Sequence, residues 1–232
     1  MKEPMVVLIG MLVLYLNFAS LRERFYTALT FKEGYDKMQI ILHRINTKEL
    51  LQKIPKQFGV EVDIRSQGKN LVLHHDPFEE GELFEEWLKL FNHQTLILNV
   101  KEEGLENLTL DLMKKYQIKD FFFLDQSFPF LRKTAILGEN RCAVRLSEYE
   151  SIETVLSLSG IVKWVWIDCF TRFPINKVQS EKLIDAGFKL CFVSPELQGR
   201  LEHSHVTKFR HKLEILDIKG DAVCTKYANL WG

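Results

Sequence analysis

Three things are scarce in this 232-residue chain, and each scarcity removes a class of function. There is no surplus of either charge: Lys plus Arg and Asp plus Glu both total 31, so the formal net charge is zero. Nothing in that balance suggests a polyanionic partner, and no nucleic acid is expected. Cysteine is scarce and scattered: Cys142, Cys169, Cys191 and Cys224 contain no C-x-x-C pair and no histidine at zinc-finger spacing. Three of them sit in the apolar runs "WVWIDCF", "FKLCFV" and "DAVCT". Buried reduced thiols fit that placement better than disulfides, and they favour a reducing compartment, the cytoplasm.

Long apolar runs are scarce as well. The stretch "MVVLIGMLVLYLNFA", residues 5–19, is interrupted only by Asn17, yet it is shorter than the roughly 20 residues that span a bilayer comfortably. No small-residue cleavage pattern follows it, which argues against a removed signal peptide. Two readings of residues 1–37 stay open: an extension that includes a core-packing helix, or a membrane anchor. An anchor, with Arg22 and Arg24 after it, would leave the rest of the chain cytoplasmic and membrane-associated. From Met38 onward the composition is that of one globular domain over 38–232; the whole chain is 46% hydrophobic and 27% charged, with enough length for one sizeable core.

Past residue 38, short β-branched or aromatic runs alternate with longer amphipathic segments, the pattern of βα units and a parallel sheet. The strand-like runs are "MQIILH" (38–43), "GVEVDI" (59–64), "TLILNV" (95–100), "DFFFL" (120–124), "CAVRL" (142–146), "KWVWID" (163–168), "FKLCFV" (188–193) and "DAVCT" (221–225). Eight repeats predict an α/β fold, a (β/α)8 TIM barrel, with an open doubly wound sheet as the structural alternative. Between them, "NTKELLQKI" predicts a helix capped by Asn46, three residues before Glu49. "GELFEEWLKLF" predicts another, with Leu83, Trp87, Leu88 and Phe91 on one face. "LENLTLDLMKKY", "SIETVLSLSG" and "VQSEKLIDAG" show the same mixture, and "LEHSHVTKFRHK" (201–212) reads as a solvated helix rather than a metal site. In "RSQGKNLVLHHDP" the turn "QGKN" and the run "LVL" predict a small hairpin after the second strand.

The polar residues at strand ends carry the chemistry. Glu61 and Asp63 are two apart, so a strand projects both to one side, which in a barrel is the lumen. Two carboxylates there need a cation or a hydrogen-bond network, and oxygen-rich ligation suits a hard divalent cation rather than zinc. Strand one ends in His43-Arg44, strand three in Asn99 and Lys101, and the hairpin in His74, His75 and Asp76. Trp164, Trp166 and the phenylalanines of "DFFFL" read as core. Asp125, Arg145, Glu148, Asp168, Ser194, Glu196 and Lys226 also follow apolar runs, as barrel-rim residues do.

The order His-Arg, Glu-x-Asp, His-Asp resembles the glycerophosphodiester phosphodiesterase family of TIM-barrel, phospholipase-C-like phosphodiesterases. The matching residues are His43-Arg44, Glu61-Val62-Asp63, His75-Asp76 and "LILNVK" ending in Lys101. They lie within residues 38 to about 101, and the likeness extends to 225 by strand count alone. It departs in Ile45 for the glycine after His-Arg, in the missing Glu-Asn-Thr loop, in a shortened insert after His-Asp, in Asn99 at the third metal-binding carboxylate, and in Lys226 where strand eight carries Asp. The resemblance implies a metal-dependent phosphoric diester hydrolase of lipid metabolism whose small-molecule substrate is a glycerophosphodiester-like or sugar-phosphate diester. It further implies Mg²⁺ or Ca²⁺ held by Glu61, Asp63 and Asn99, His43 and His75 as general acid and base, and Arg44 and Lys101 on the phosphate. The departures keep two alternatives in view: a catalytically degenerate barrel that binds a phosphorylated ligand or partner, and a lyase that stops at a cyclic phosphate.

Overall fold

The computed structural model describes residues 38–232. The expectations for residues 1–37, including an anchor at 5–19, lie outside the described residues. Among the described residues no helix is long and apolar enough to cross a membrane.

The eight β-rich runs all form strands. In chain order these are β1 (Gln39–Leu42), β2 (Gly59–Gln67), β5 (Leu96–Val100), β6 (Phe121–Leu124), β7 (Ala143–Leu146), β8 (Trp164–Ile167), β9 (Lys189–Val193) and β10 (Ala222–Thr225). Parallel pairing runs β7-β8-β9-β10-β1-β2-β5-β6. A single parallel bridge, Phe123 to Cys142, returns β6 to β7 and closes the ring. The fold is therefore the expected (β/α)8 barrel, and the open doubly wound alternative falls.

Helices separate the strands on the outside: α1 (Lys48–Lys53), α2 (Phe84–Leu88), α3 (Glu106–Lys115), α4 (Phe128–Ile136), α5 (Ile152–Leu156), α6 (Lys177–Asp185) and α7 (His203–Ile215). The period-2 alternation of the strands sorts side chains into two cores. Ile41, Ile97, Phe122, Trp164, Trp166 and Cys191 fill the lumen, where Phe122 stacks on Trp164 at 4.5 Å. Phe121, Phe123, Val165 and Phe192 face the helices. All four cysteines are free and buried, as their apolar settings imply.

Two local expectations change. Asn46 does not cap α1; the cap is Thr47, whose Oγ1 accepts from the Leu50 N–H at 3.2 Å, because the Asn46 side chain is engaged elsewhere. In α2 the buried face is Phe84, Trp87 and Leu88, whereas Leu83 is exposed. Leu83 belongs instead to the two-residue strand β4 (Glu82–Leu83), which pairs antiparallel with β3 (Asn70–Leu73). The hairpin is as expected, with β2 running three residues beyond Ile64 to pair with β3 through a turn at Gly68–Lys69. The helix over 203–215 is not solvated all round, since Val206, Phe209 and Leu213 are buried beneath it.

Candidate active site

The carboxyl ends of the barrel strands gather the polar residues. Glu61 and Asp63 stand on β2 with 0% of their surface exposed, and Asn99, the register partner of Asp63 on β5, is 5% exposed. A carboxylate is rarely buried so fully without partners. Glu61 Oε1 accepts from Asn99 Nδ2 at 2.8 Å, and Oε2 accepts from the Arg44 backbone N–H at 2.7 Å. That N–H points inward because Arg44 takes a left-handed turn, φ 57°, just beyond β1. His43 Nε2 lies 3.8 Å from the same Oε2.

Asp63 is held by a residue that sequence reasoning missed. Asn46 Nδ2 donates to Asp63 Oδ2 at 2.8 Å, while Asn46 Oδ1 accepts the Asp63 N–H at 2.9 Å. The Arg44 guanidinium is 3.6 Å from Oδ2, and Lys101 Nζ is 3.2 Å from Oδ1. The Lys101 contact is an ion pair without hydrogen-bond alignment, so Asp63 Oδ1, with His43 Nδ1 and Asn99 Oδ1, stays buried without a hydrogen-bond partner among the described residues.

The electrostatics follow from burial. Desolvation, then the neighbouring Asp63, raises the Glu61 carboxyl well above the usual range, against the hydrogen bonds from Arg44 and Asn99. Burial, then the charges of Arg44, Lys226 and Lys101, pushes His43 down to about 3 although Asp63 pulls the other way, so its imidazole is neutral near pH 7.

His75 stands apart from this group. Its Nδ1 pairs with Asp76 Oδ1 at 2.7 Å, and its backbone carbonyl is clamped by Arg65 at 3.0 and 2.8 Å. Among the described residues no hydrogen bond or ion pair joins its ring to Glu61 or Asp63. The hairpin nevertheless keeps it at the mouth, since the adjacent His74 N–H bonds to the Asp63 carbonyl at 3.1 Å. His74 turns its Nδ1 to the Asp76 backbone.

Around the rest of the rim the strand-end residues form a chain of alternating charge. Lys101 reaches Asp125 Oδ2 at 3.3 Å, Asp125 pairs with Arg145, and Arg145 donates to Asp168 Oδ2 at 2.7 Å. Gln198 bonds to the other Asp168 oxygen. Glu196 belongs to a separate buried knot: it accepts from Ser194 at 2.5 Å, from Thr225 at 2.6 Å and from the Lys226 N–H at 2.8 Å, and Trp231 Nε1 closes on Ser194 at 3.0 Å. Ser194 and Glu196 therefore brace the mouth rather than line it, and Glu148 does the same for the loop after β8, accepting from Thr171 and Arg172.

The donor chemistry suits a hard cation. Asp63 Oδ1 and Asn99 Oδ1 are buried oxygens on paired residues of neighbouring strands, beside a second carboxylate. The set holds two carboxylates instead of three, and among the described residues no group of three or more His, Cys, Asp or Glu side chains could hold a metal ion.

No protein-family profile matches the chain, and no curated protein matches it. Solved structures do. A glycerophosphodiester phosphodiesterase from Agrobacterium tumefaciens aligns with a TM-score of 0.57 at 14% identity, over 84% of this chain and 98% of that one. Another protein of that organism, assigned as a glycerophosphoryl diester phosphodiesterase, aligns at 0.60 and 14% over 84% and 95%. A glycerophosphoryl diester phosphodiesterase from Parabacteroides distasonis aligns at 0.54 and 14% over 83% and 85%. The chain thus shares the barrel of these proteins across nearly all of its described length.

Proposed function

We propose that this chain is a divergent phosphoric diester hydrolase of the glycerophosphodiester phosphodiesterase type, acting on a small phosphodiester. One observation carries the reading: the fully buried Glu61–Asp63 pair lies at the mouth of a barrel shared with proteins of that name, within reach of His43, Arg44 and Lys101.

Arg44 and Lys101 would bind the phosphate, the guanidinium by paired donors and the ammonium as a point charge. His43, neutral near pH 7 with a ring nitrogen facing Glu61, would take the proton from the attacking water or hydroxyl, although burial lowers its basicity. His75, with Nδ1 fixed by Asp76, offers Nε2 to protonate the leaving alkoxide. Asn46 holds Asp63 in place from both ends of its amide. Glu61, Asp63 and the Asn99 amide oxygen would hold Mg²⁺ or Ca²⁺, which when bound supplies polarisation of the phosphoryl oxygens.

The direct test is release of alcohol from a panel of glycerophosphodiesters with added Mg²⁺ or Ca²⁺, set against His43→Ala and Glu61→Ala. Absence of cation-dependent turnover on every diester sinks the hydrolase reading. Phosphorus NMR of the product distinguishes hydrolysis from formation of a cyclic phosphate. The Lys101 ammonium on Asp63, where the cation site is a carboxylate short, supports a second reading, a barrel that binds phosphate esters without cleaving them. Tight calorimetric binding of phosphate esters that survives His75→Ala, with no turnover, would mark that case.

A further inference from the structure

Strands β6 and β7 meet through one bridge, Phe123 to Cys142, whereas every other neighbouring pair in the barrel shares at least two registered positions. Above the bridge they part. Asp125, at φ 60°, turns the chain away from β6 just where β7 begins to climb. A cleft of about 620 Å³ opens in the gap. Its walls include Leu124 and Ala143, which belong to the lumen core, together with Leu131 and Val144, which belong to the helix-facing core. A closed barrel wall keeps those two sets apart, and at the ends of β6 and β7 they meet in one cleft.

The cleft adjoins the candidate phosphate site through a shared carboxylate. Asp125 lines it, pairs with Arg145 across the opening, and lies 3.3 Å from Lys101 Nζ on the lumen side. A phosphodiester seated on Lys101 would therefore send one of its substituents past Asp125 into the seam.

The lining decides what that substituent can be. A hydrocarbon tail is disfavoured, because Arg145, Asp125 and Glu150 stand in the cleft and would lose hydration against it. A second phosphate is disfavoured by Asp125 and Glu150, with Asp168 behind Arg145. An ammonium head is disfavoured because Asp125 already serves Arg145 and Lys101. What fits is a neutral, hydroxyl-rich group. Thr154 and the Glu150 oxygen not bonded to Ser147 offer a hydroxyl and an acceptor, and the exposed rings of Tyr149 and Phe128 offer flat apolar faces. Gln126, which borders the cleft, also has a buried amide oxygen without a partner among the described residues.

We propose that the open β6–β7 seam is the pocket for a polyhydroxylated substituent, a sugar ring or larger polyol, so that the preferred substrates are glycosyl phosphodiesters. The cleft is larger than a three-carbon glycerol group would fill. The inference rests on the phosphodiesterase reading for turnover, and on the seam alone for binding.

The test compares the methyl diesters of several hexose 1-phosphates with the methyl diester of glycerol 3-phosphate, and in parallel measures binding of hexose 1-phosphates and glycerol 3-phosphate by calorimetry. The best sugar diester should exceed the glycerol diester about tenfold in kcat/KM, the worth of one or two hydrogen bonds. Tyr149→Ala, and separately Thr154→Trp, which fills the cleft from α5, should each bring that ratio towards one, mainly through KM. Equal rates on both classes, or a ratio untouched by Thr154→Trp, overturn the proposal. No turnover on either class, with hexose 1-phosphate still bound about tenfold more tightly and Thr154→Trp abolishing the difference, upholds the pocket and removes the hydrolase reading. No turnover and no binding preference removes both.

Discussion

Asp63 and Asn99 stand opposite one another on parallel neighbours β2 and β5, and each keeps Oδ1 buried without a hydrogen-bond partner among the described residues. Their other atoms are committed, Asp63 Oδ2 to Asn46 and Asn99 Nδ2 to Glu61. Asn99→Asp removes the donor that quiets Glu61 and puts a third carboxylate in the lumen. In chelator the variant should lose about 2 kcal/mol, which for a chain of this size lowers Tm by roughly 4–8 °C. Millimolar Ca²⁺ or Mg²⁺ should restore it by more than it raises the wild type. Melting curves with and without cation decide the matter: a variant that responds no more than the wild type would place the cation elsewhere.

Asn46 shows where sequence reasoning stopped. Its position three residues before Glu49 fits a helix cap, and a one-dimensional pattern cannot reveal that Thr47 takes that role while Asn46 turns 17 residues along the chain to Asp63. Asn46→Ala should cost about 1–3 kcal/mol, because it strips from the buried Asp63 Oδ2 its only hydrogen bond among the described residues. Thr47→Ala should cost about 1 kcal/mol, a cap's worth. Denaturant titration of the two variants would show whether the larger effect follows the lumen contact.

The strands and their order were legible because alternation and β-branched content are local properties of the chain. Lumen placement of Glu61 and Asp63 followed from the same period. The rim pairs were not legible: Asp125, Arg145 and Asp168 each looked like an isolated polar residue after a strand, since their partners lie 20 and 23 positions apart on other strands. The open seam was invisible for a related reason, since how many rungs two strands share depends on barrel geometry and not on either strand's sequence.

Stability in chelator should depend on pH through two groups of opposite sign. The Glu61 carboxyl is raised above 4.5 by burial, so folding favours its protonated form, and its contribution declines as pH rises above about 4.5. His43 is lowered from 6.5 to about 3, so folding favours the neutral ring, and its contribution is complete above pH 6.5 and declines as pH falls towards 3. Glu61→Gln should flatten the alkaline limb of Tm against pH, and His43→Gln the acid limb. A Glu61→Gln profile that still falls from pH 5 to 8 would mean another group carries that limb.

If His43 and His75 are the proton-transfer pair, each replacement by Ala should lower kcat about 10²- to 10⁴-fold while circular dichroism and Tm stay near the wild type for His75, which sits on the exposed hairpin. Asp76→Asn should act in the same direction but more weakly, since it leaves the ring in place and removes only its orienting carboxylate. A His75→Ala enzyme at full kcat would leave the hairpin histidine with a structural part alone.

Arg145 is the hinge of the rim's charge chain. Asp168 is 1% exposed, and burial lifts its carboxyl to about 6 even with the Arg145 guanidinium at 2.7 Å and the Gln198 amide bonded to it. Arg145→Leu leaves Asp168 and Asp125 without that cation. Removing one partner of a buried pair costs about 3–5 kcal/mol. Asp168→Asn should cost less, because the amide still accepts from Gln198 and keeps no charge, although Arg145 then answers Asp125 and Glu150 alone. The deficit of Arg145→Leu should also shrink from pH 8 to pH 5: with its cation gone, Asp168 in the folded chain takes up a proton more readily than in the unfolded chain, so lower pH favours the folded variant. Adding Asp168→Asn to Arg145→Leu should recover part of the loss at pH 8 and little at pH 5. Urea titrations of the three variants at both pH values complete the cycle, and a double variant no more stable than Arg145→Leu would show that the lost stability lies in packing around the guanidinium rather than in the stranded carboxylate.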